Sequence, residues 1–308
     1  MASVVVAVPT FRRPQALARL LEALANLDTA AVVTVVVADN DCEKHEGVDV
    51  CAALCAGNYR WPLEYFIAPK RGIANVRNAL VEHSLGHECN FIAMLDDDEW
   101  PDPRWLEAFL ETQKATGADA LHGRILREFE EKPGRLARHC DGIAPMRGTT
   151  GHTENIPGSG NVIFTRACFE DTPKPRFDPS FGLSGGEDSD FIERLRRQGK
   201  RFAWCDEAVA HAWVPATRGN LRWALARAYS VGNSDMRVFL KYPRTAASHA
   251  VEIGKIAGVL LLAPVLFVIL GIGTNRAMEA LRKLFRAAGK IAAFGGRHYQ
   301  EYSVIHGE

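Results

Sequence analysis

Three consecutive carboxylates, Asp96-Asp97-Asp98, follow directly on the apolar run Phe91-Ile92-Ala93-Met94-Leu95. A strand that ends in acids delivers several negative charges to one edge of a sheet, and their repulsion is costly unless a cation relieves it. Oxygen donors in that position suit Mg2+ or Mn2+, which keep water and phosphate oxygens in their remaining sites. The plain alternative is a solvated acidic turn ahead of the next helix. A second acidic pair, Glu187-Asp188, opens a helical segment that runs to about Gln198. The positive end of the helix dipole favours ionised carboxylates there, so this pair is placed to supply a general base. Thr10, Arg12 and Arg71, each after an apolar run, could contact ribose or phosphate, and Asp39 could accept a hydrogen bond from a base N–H. Base, metal and a diphosphate leaving group together describe in-line displacement at the carbon that carries the diphosphate.

These residues need a frame that brings them to one place. Apolar periodicity predicts strands at Val4–Val8, Val32–Ala38, Leu63–Ile67, Phe91–Leu95 and Ala120–Leu126. Between them it predicts helices at Pro14–Leu27, Val48–Cys55, Ile73–Leu85 and Arg104–Thr116. Such alternation implies an α/β fold: a Rossmann-like, mostly parallel sheet flanked by helices on both faces. Ligands bind such sheets at the carboxyl ends of the strands, where Thr10-Phe11-Arg12-Arg13, Asp39-Asn40-Asp41, Arg71-Gly72 and the Asp triplet all fall. The stretch Glu128–Ser159 shows no period and reads as a long insertion, after which order resumes at Gly160–Phe164.

Lys plus Arg and Asp plus Glu both number 37, so nothing in the charge balance favours nucleic acid. The seven cysteines are scattered without zinc-site spacing and read as reduced thiols. No basic segment precedes the apolar run at Ser3–Val8, so it reads as a first strand rather than a signal peptide. At the other end, 20 residues from Ile256 to Asn275 carry no charge. That is long enough to cross a bilayer of ~30 Å. Pro264 interrupts the run, and Arg276, Arg282, Lys283, Arg286 and Lys290 follow it on an amphipathic pattern. Basic flanks on both sides favour an interfacial or re-entrant hairpin bent at Pro264 over a single span.

Five blocks occur in order: Val8-Pro9-Thr10-Phe11-Arg12-Arg13, Val37-Ala38-Asp39-Asn40, Arg71-Gly72-Ile73-Ala74-Asn75-Val76-Arg77-Asn78, Leu95-Asp96-Asp97-Asp98-Glu99-Trp100 and Gly185-Gly186-Glu187-Asp188. Over roughly residues 3 to 240 the sequence thereby resembles family 2 glycosyltransferases of GT-A fold, bacterial exopolysaccharide-type enzymes above all. The resemblance implies an inverting transferase that uses a nucleotide sugar, most often a UDP-sugar, with Mn2+ or Mg2+. On it, Pro9, Thr10, Phe11, Arg12, Asp39, Arg71, Asn75, Arg77, Asp96 and Asp97 hold the nucleotide sugar, with Asp39 matching the base-reading acid. Asp98 matches the direct metal ligand, Asp96 the other outer acid, and His211 a further ligand. Asp188 matches the catalytic base, with Glu187 as its alternative. Gly219 stands where processive relatives carry Gln, which argues against polymerisation.

The expected organisation is a GT-A domain over 1–240, membrane-associating helices over 245–298 and a tail over 299–308. The acceptor would be a hydroxyl of a lipid-linked or cell-surface glycan at the cytoplasmic face of the inner (plasma) membrane, with the protein peripheral or monotopic. Two rivals remain: a sugar nucleotidyltransferase, for which the Gly-rich loop after the first strand is missing, and a non-catalytic nucleotide-sugar-binding scaffold.

Overall fold

A computed structural model describes residues 1–134, 137, 142–182, 184–270 and 274–299 of the chain. Cys140 and residues 300–308 of the expected tail lie outside the described residues. The chain opens with β1 (Ser3–Thr10), α1 (Pro14–Ala25), β2 (Val32–Asp39), α2 (Glu46–Ala56), β3 (Leu63–Ile67) and α3 (Ile73–Leu85). It continues through β4 (Phe91–Met94), β5 (Glu99–Pro101), α4 (Trp105–Thr116), β6 (Ala120–Phe129), β7 (Gly151–Thr153), β8 (Val162–Thr165) and α5 (Ala167–Glu170). Then come α6 (Glu187–Arg197), β9 (Phe202–Val214), α7 (Leu221–Lys241), α8 (Ala246–Ile269) and α9 (Asn275–Phe294).

Nine strands form one sheet in the order β3-β2-β1-β4-β8-β6-β9-β5, with β7 also on β9. Val4 to Val8 are all buried, as a central strand covered on both faces requires. On one face Leu17, Leu20, Leu21 and Leu24 of α1 pack with Trp105, Leu106 and Phe109 of α4. On the other, Val76 and Leu80 of α3 pack with Phe169 of α5 and with Phe191 and Leu195 of α6. The leucines of α1 repeat at helical spacing, and Pro14 suits its first turn because no partner is needed for a backbone N–H there.

The sheet is mixed, with its longer pairings parallel. β1 to β4 run parallel, but β8 enters antiparallel between β4 and β6, and β5 and β7 are antiparallel to β9. The expected insertion is shorter than its composition suggests, because β6 runs on to Phe129 and β7 pairs with β9. β9 is the longest strand and runs from Phe202 to Val214.

The C-terminal helices depart furthest from expectation. α8 runs through Pro264 without a break, and its partner is α9 rather than its own second half. α9 turns Ala277, Ala280, Ala287, Gly289 and Ala293 inward. α7 and α9 cross where Gly232 and Gly289 face the opposite backbone, so closely that an added Cβ would lie 2.0 Å from a carbonyl oxygen at either position. Gly232→Val or Gly289→Val is therefore expected to cost about 2 kcal/mol or more, read as a lower unfolding midpoint. Gly254→Ala in α8, where an added carbon meets nothing within 4 Å, should leave the midpoint unchanged or slightly raised. Equal effects at all three positions would contradict the close crossing.

Candidate active site

The carboxyl ends of β1 and β4 meet at a buried carboxylate. Asp97 accepts from the Thr10 hydroxyl at 3.0 Å, the Phe11 backbone N–H at 3.3 Å and an Arg13 Nη1 at 3.0 Å. Burial pushes its carboxyl up to about 6, and the neighbouring Asp98 adds to the shift while Arg13 opposes it. With Asp97 so occupied, its neighbours remain available to the cavity. Asp98 faces Arg13 at 3.1 Å and Arg218 at 3.5 Å, and Asp96 faces Arg77 at 2.8 Å. Their side chains are 22% and 38% exposed. Glu99, fully enclosed beside them, is pushed up to about 8, first by burial and then by the charges of Asp96 and Asp98.

Arg77 reaches in two directions from α3. One Nη bonds Asp96 and the other bonds Glu187 at 2.5 Å, so a single guanidinium joins the strand-end acids to the start of α6. Glu187 is pushed up to about 7, mainly by burial and next by Asp188. Its second oxygen is buried without a hydrogen-bond partner. Gly185 and Gly186 adopt positive φ, 75° and 93°, to turn the chain into α6. Ser234 of α7 donates to the Gly185 carbonyl at 3.1 Å and holds that turn in place. Asp188 follows, and its Oδ1 accepts from the Ser189 backbone N–H at 2.6 Å.

All of this borders one cavity of about 1440 Å³. Its wall at the sheet edge includes Thr10, Phe11, Arg13, Arg71, Asp96 and Asp98, and Asp188 stands at the mouth of α6. Lining residues from α6 to α9 include Arg196, Arg227, Arg244, Arg286 and Lys290, interleaved with Glu193, Asp235 and Glu252, which pair with four of these cations. A metal held by carboxylates, an anionic ligand against arginines and a proton acceptor thus fit one space. Such a combination serves group transfer from a phosphorylated donor.

Comparison with known proteins decides the family. The glycosyl transferase family 2 model matches residues 5–169. The chain belongs to this family. It is 32% identical over 238 residues to the succinoglycan biosynthesis protein ExoM of Rhizobium meliloti (strain 1021), covering 76% of this chain and 74% of that protein. Among solved structures, the mannosyltransferase PcManGT from Pyrobaculum calidifontis, in complex with GDP-Man and Mn2+, superposes with a TM-score of 0.63 at 15% identity. The match covers 96% of this chain and 88% of that one. S. aureus TarS 1–349 in complex with UDP-GlcNAc gives 0.57 at 15% identity, over 97% of this chain and 93% of that one. The shared architecture is the GT-A fold.

In this family 2 glycosyltransferase the structure gathers Pro9, Thr10, Phe11, Arg71, Arg77, Asp96, Asp97, Asp98 and Asp188 on the cavity wall. Five residues singled out from sequence do not line it. Arg12 turns to Asp41 and Glu43. Asp39 accepts from the backbone of Asp41, Gly47 and Val48, and so caps the start of α2. Asn75 donates to the Arg71 carbonyl. Glu187 is enclosed behind Asp188. His211 stacks on Trp100 and has its two ring nitrogens 3.0 Å from Asp102 and 3.1 Å from Glu128. Arg13 and Asn40, expected on the rim from their places after β1 and β2, also line the cavity, whereas sequence reading gave no role to Glu99, Arg127 and Arg218. Asn40 had a local signal in its place after Asp39; it anchors the Arg71-Gly72 loop through the Gly72 N–H at 2.8 Å. Arg218, 120 residues from Asp98, had none.

Removing the Arg77 guanidinium would leave two carboxylates facing each other without their cation. Arg77→Met is expected to lower unfolding free energy by roughly 3–5 kcal/mol, and adding Glu187→Gln should recover part of the loss in a double-mutant cycle. Strict additivity would show that the bridge is not formed. Burial also pushes the His122 imidazole down to about 4, so the fold favours the neutral ring. Below an unfolded pKa near 6.5 the unfolded chain binds a proton that the folded one does not. This part of the stability is lost as pH falls from about 6.5 towards 4. The stability difference between wild type and His122→Gln should shrink across that window by roughly 3 kcal/mol, and a constant difference would refute it.

Proposed function

We propose that this glycosyltransferase moves a sugar from a nucleotide-sugar donor, a UDP-sugar, to a hydroxyl of a lipid-linked or cell-surface glycan with inversion. The observation that carries this reading is the convergence of Asp96, Asp98 and Asp188 on one cavity. The relatives whose structures hold UDP-GlcNAc, or GDP-Man with Mn2+, support a nucleotide sugar as donor and a divalent cation as cofactor.

The residues fit such a cation. Asp96 and Asp98 present carboxylate oxygens to the cavity, and the adjoining Glu99 carries a pKa raised first by burial and then by their negative charge. Asp98, with Asp96, would hold Mn2+ or Mg2+, which would supply positive charge against the departing diphosphate. Arg71, at the start of α3, stacks on Phe11 and faces the cavity, where it can bind and orient the donor phosphates. Asp188 takes the proton from the attacking hydroxyl. Glu187 is unsuited to that step because it is enclosed and tied to Arg77. A single displacement, with the base on the face opposite the leaving group, inverts the anomeric centre. Among expected ligands of nucleotide and metal, Arg12, Asp39, Asn75 and His211 would need to change their present contacts to take part.

The membrane reading rests on α8, the one helix among the described residues long and apolar enough to cross a bilayer, with mean hydropathy 2.1. Only 11% of its most apolar window is buried inside the protein, and Leu261 and Val268 are 73% and 72% exposed. Its 24 residues extend about 36 Å. Residues 245–298 would thus seat the protein at the cytoplasmic face of the inner membrane, beside an acceptor that stays in the bilayer, with the GT-A domain over 1–240 facing the cytoplasm.

Asp188→Asn should reduce turnover by about 10²–10⁴-fold while donor affinity, read by calorimetry, changes little. Normal turnover would remove Asp188 as the base. Asp98→Ala should abolish the Mn2+-dependent part of UDP-sugar binding. If wild type binds UDP- and GDP-sugars no more tightly with Mn2+ than without, the metal site is refuted; if it binds the donor but transfers nothing to any glycan lipid, the scaffold reading replaces the enzyme. Leu261→Lys with Val268→Lys should move the protein from membrane pellet to supernatant without a change in melting temperature. Unchanged sedimentation would remove α8 as the anchor.

A further inference from the structure

We propose that Glu64, His83 and His87 form a second metal site, distinct from the acidic cluster, that takes a borderline transition cation such as Zn2+. None of the three lines the active-site cavity. Glu64 stands on β3, the edge strand of the sheet, and in register with Val36 of β2. His83 lies in the last turn of α3 and His87 just beyond its end, with the two ring centroids 5.7 Å apart. Both Nε2 atoms converge on the same carboxylate oxygen, Glu64 Oε2, at 2.6 Å and 3.3 Å. One donor atom from each of the three residues lies within 4.8 Å of the others.

The surroundings hold these donors in place. The His83 ring stacks on Phe66, with centroids 5.0 Å apart, and Phe66 lies on the same face of β3 as Glu64. Arg166 donates to the backbone carbonyls of Leu85 and His87, which fixes the turn that presents His87. Two imidazoles and one carboxylate are a zinc donor set that leaves a fourth, tetrahedral position for water. With bonds of about 2.0–2.1 Å the donors would stand about 3.3 Å apart, so side-chain adjustments of about 1 Å suffice. All three side chains are 30–42% exposed, so an ion can enter from solvent. Carboxylate clusters such as Asp96–Asp98 suit Mg2+ or Mn2+, whereas imidazole nitrogen favours zinc, cobalt, nickel or copper. The bound ion would tie the C-terminal end of α3 to the sheet edge, some 9 Å or more along the helix from Arg77.

The test is titration of the full-length protein with Zn2+ by calorimetry and with Co2+ by visible absorption at pH 7.5. One equivalent with tetrahedral Co2+ absorption is expected in wild type and in Asp98→Ala. His83→Ala and His87→Gln should each weaken it at least tenfold. Melting curves in EDTA establish that the variants are folded, and His87→Gln, beyond the end of the helix, carries the test alone if His83→Ala is not. Absence of the equivalent in wild type, or affinity unchanged in His87→Gln, overturns the proposal. Loss in Asp98→Ala with retention in both histidine variants would assign the ion to the acidic cluster and overturn it equally.

Discussion

The rim depends on one buried carboxylate. Asp97 is enclosed and receives a hydroxyl, a backbone N–H and a guanidinium from the end of β1. Ionising a buried acid is costly, and only donors in good geometry offset that cost. The turn that carries the acids is therefore fixed against β1, and Asp96 and Asp98, one residue to either side, are left at the cavity. Parallel pairing of β1 with β4 sets the same geometry from the backbone, because it aligns Ala7 with Met94 and brings both strand ends to one edge. If the middle acid were free to rotate outward, the cluster would add a third charge to the cavity and lose its anchor.

Charge balance then joins the two halves of the site. Asp96, Asp98, Glu99 and Glu187 crowd negative charge into an enclosed region, and Arg13, Arg77, Arg127 and Arg218 oppose it. Burial first, and the neighbouring acids after it, raise the pKa values of Glu99 and Glu187 in that region. Arg77 matters most because it contacts both groups at once. Moving α6 by an ångström would break its bond to Glu187 and leave that acid with two unsatisfied oxygens, so the position of Asp188 is tied to that of Asp96 through one side chain.

Much of this frame was legible in the sequence because it is encoded locally. β3 and α3 fall where the apolar periodicity places them, β1 and β2 lie within two residues of it, and the Asp triplet follows a strand as its apolar prefix requires. What escaped is what depends on distant partners. Nothing near Phe202 shows that β9 runs 13 residues or that β8 inserts antiparallel, since strand pairing is decided across the sheet. His211, expected as a metal ligand, lies within β9. Its neighbours across the sheet, Trp100 and Asp102 on one side and Glu128 on the other, determine what its ring does. Pro264 suggested a bend because proline removes a backbone donor, yet a helix can carry one proline and continue.

The C-terminal helices give the site its far wall, and the small residues of their crossing explain how. With hydrogen atoms at Gly232 and Gly289, α7 and α9 approach backbone to backbone, and Asn233 donates across the contact to the Gly289 carbonyl at 3.2 Å. Arg286 of α9 then reaches Asp235 of α7 at 2.7 Å, and Lys290 reaches Glu252 of α8. Both cations are thereby held at the cavity while α8 keeps its apolar outer surface uncovered. Bulkier residues at the crossing would push α9 outward and take Arg286 and Lys290 with it. The same contact that packs the helices therefore fixes how far the exposed apolar face of α8 stands from the paired cations Arg286 and Lys290 at the cavity.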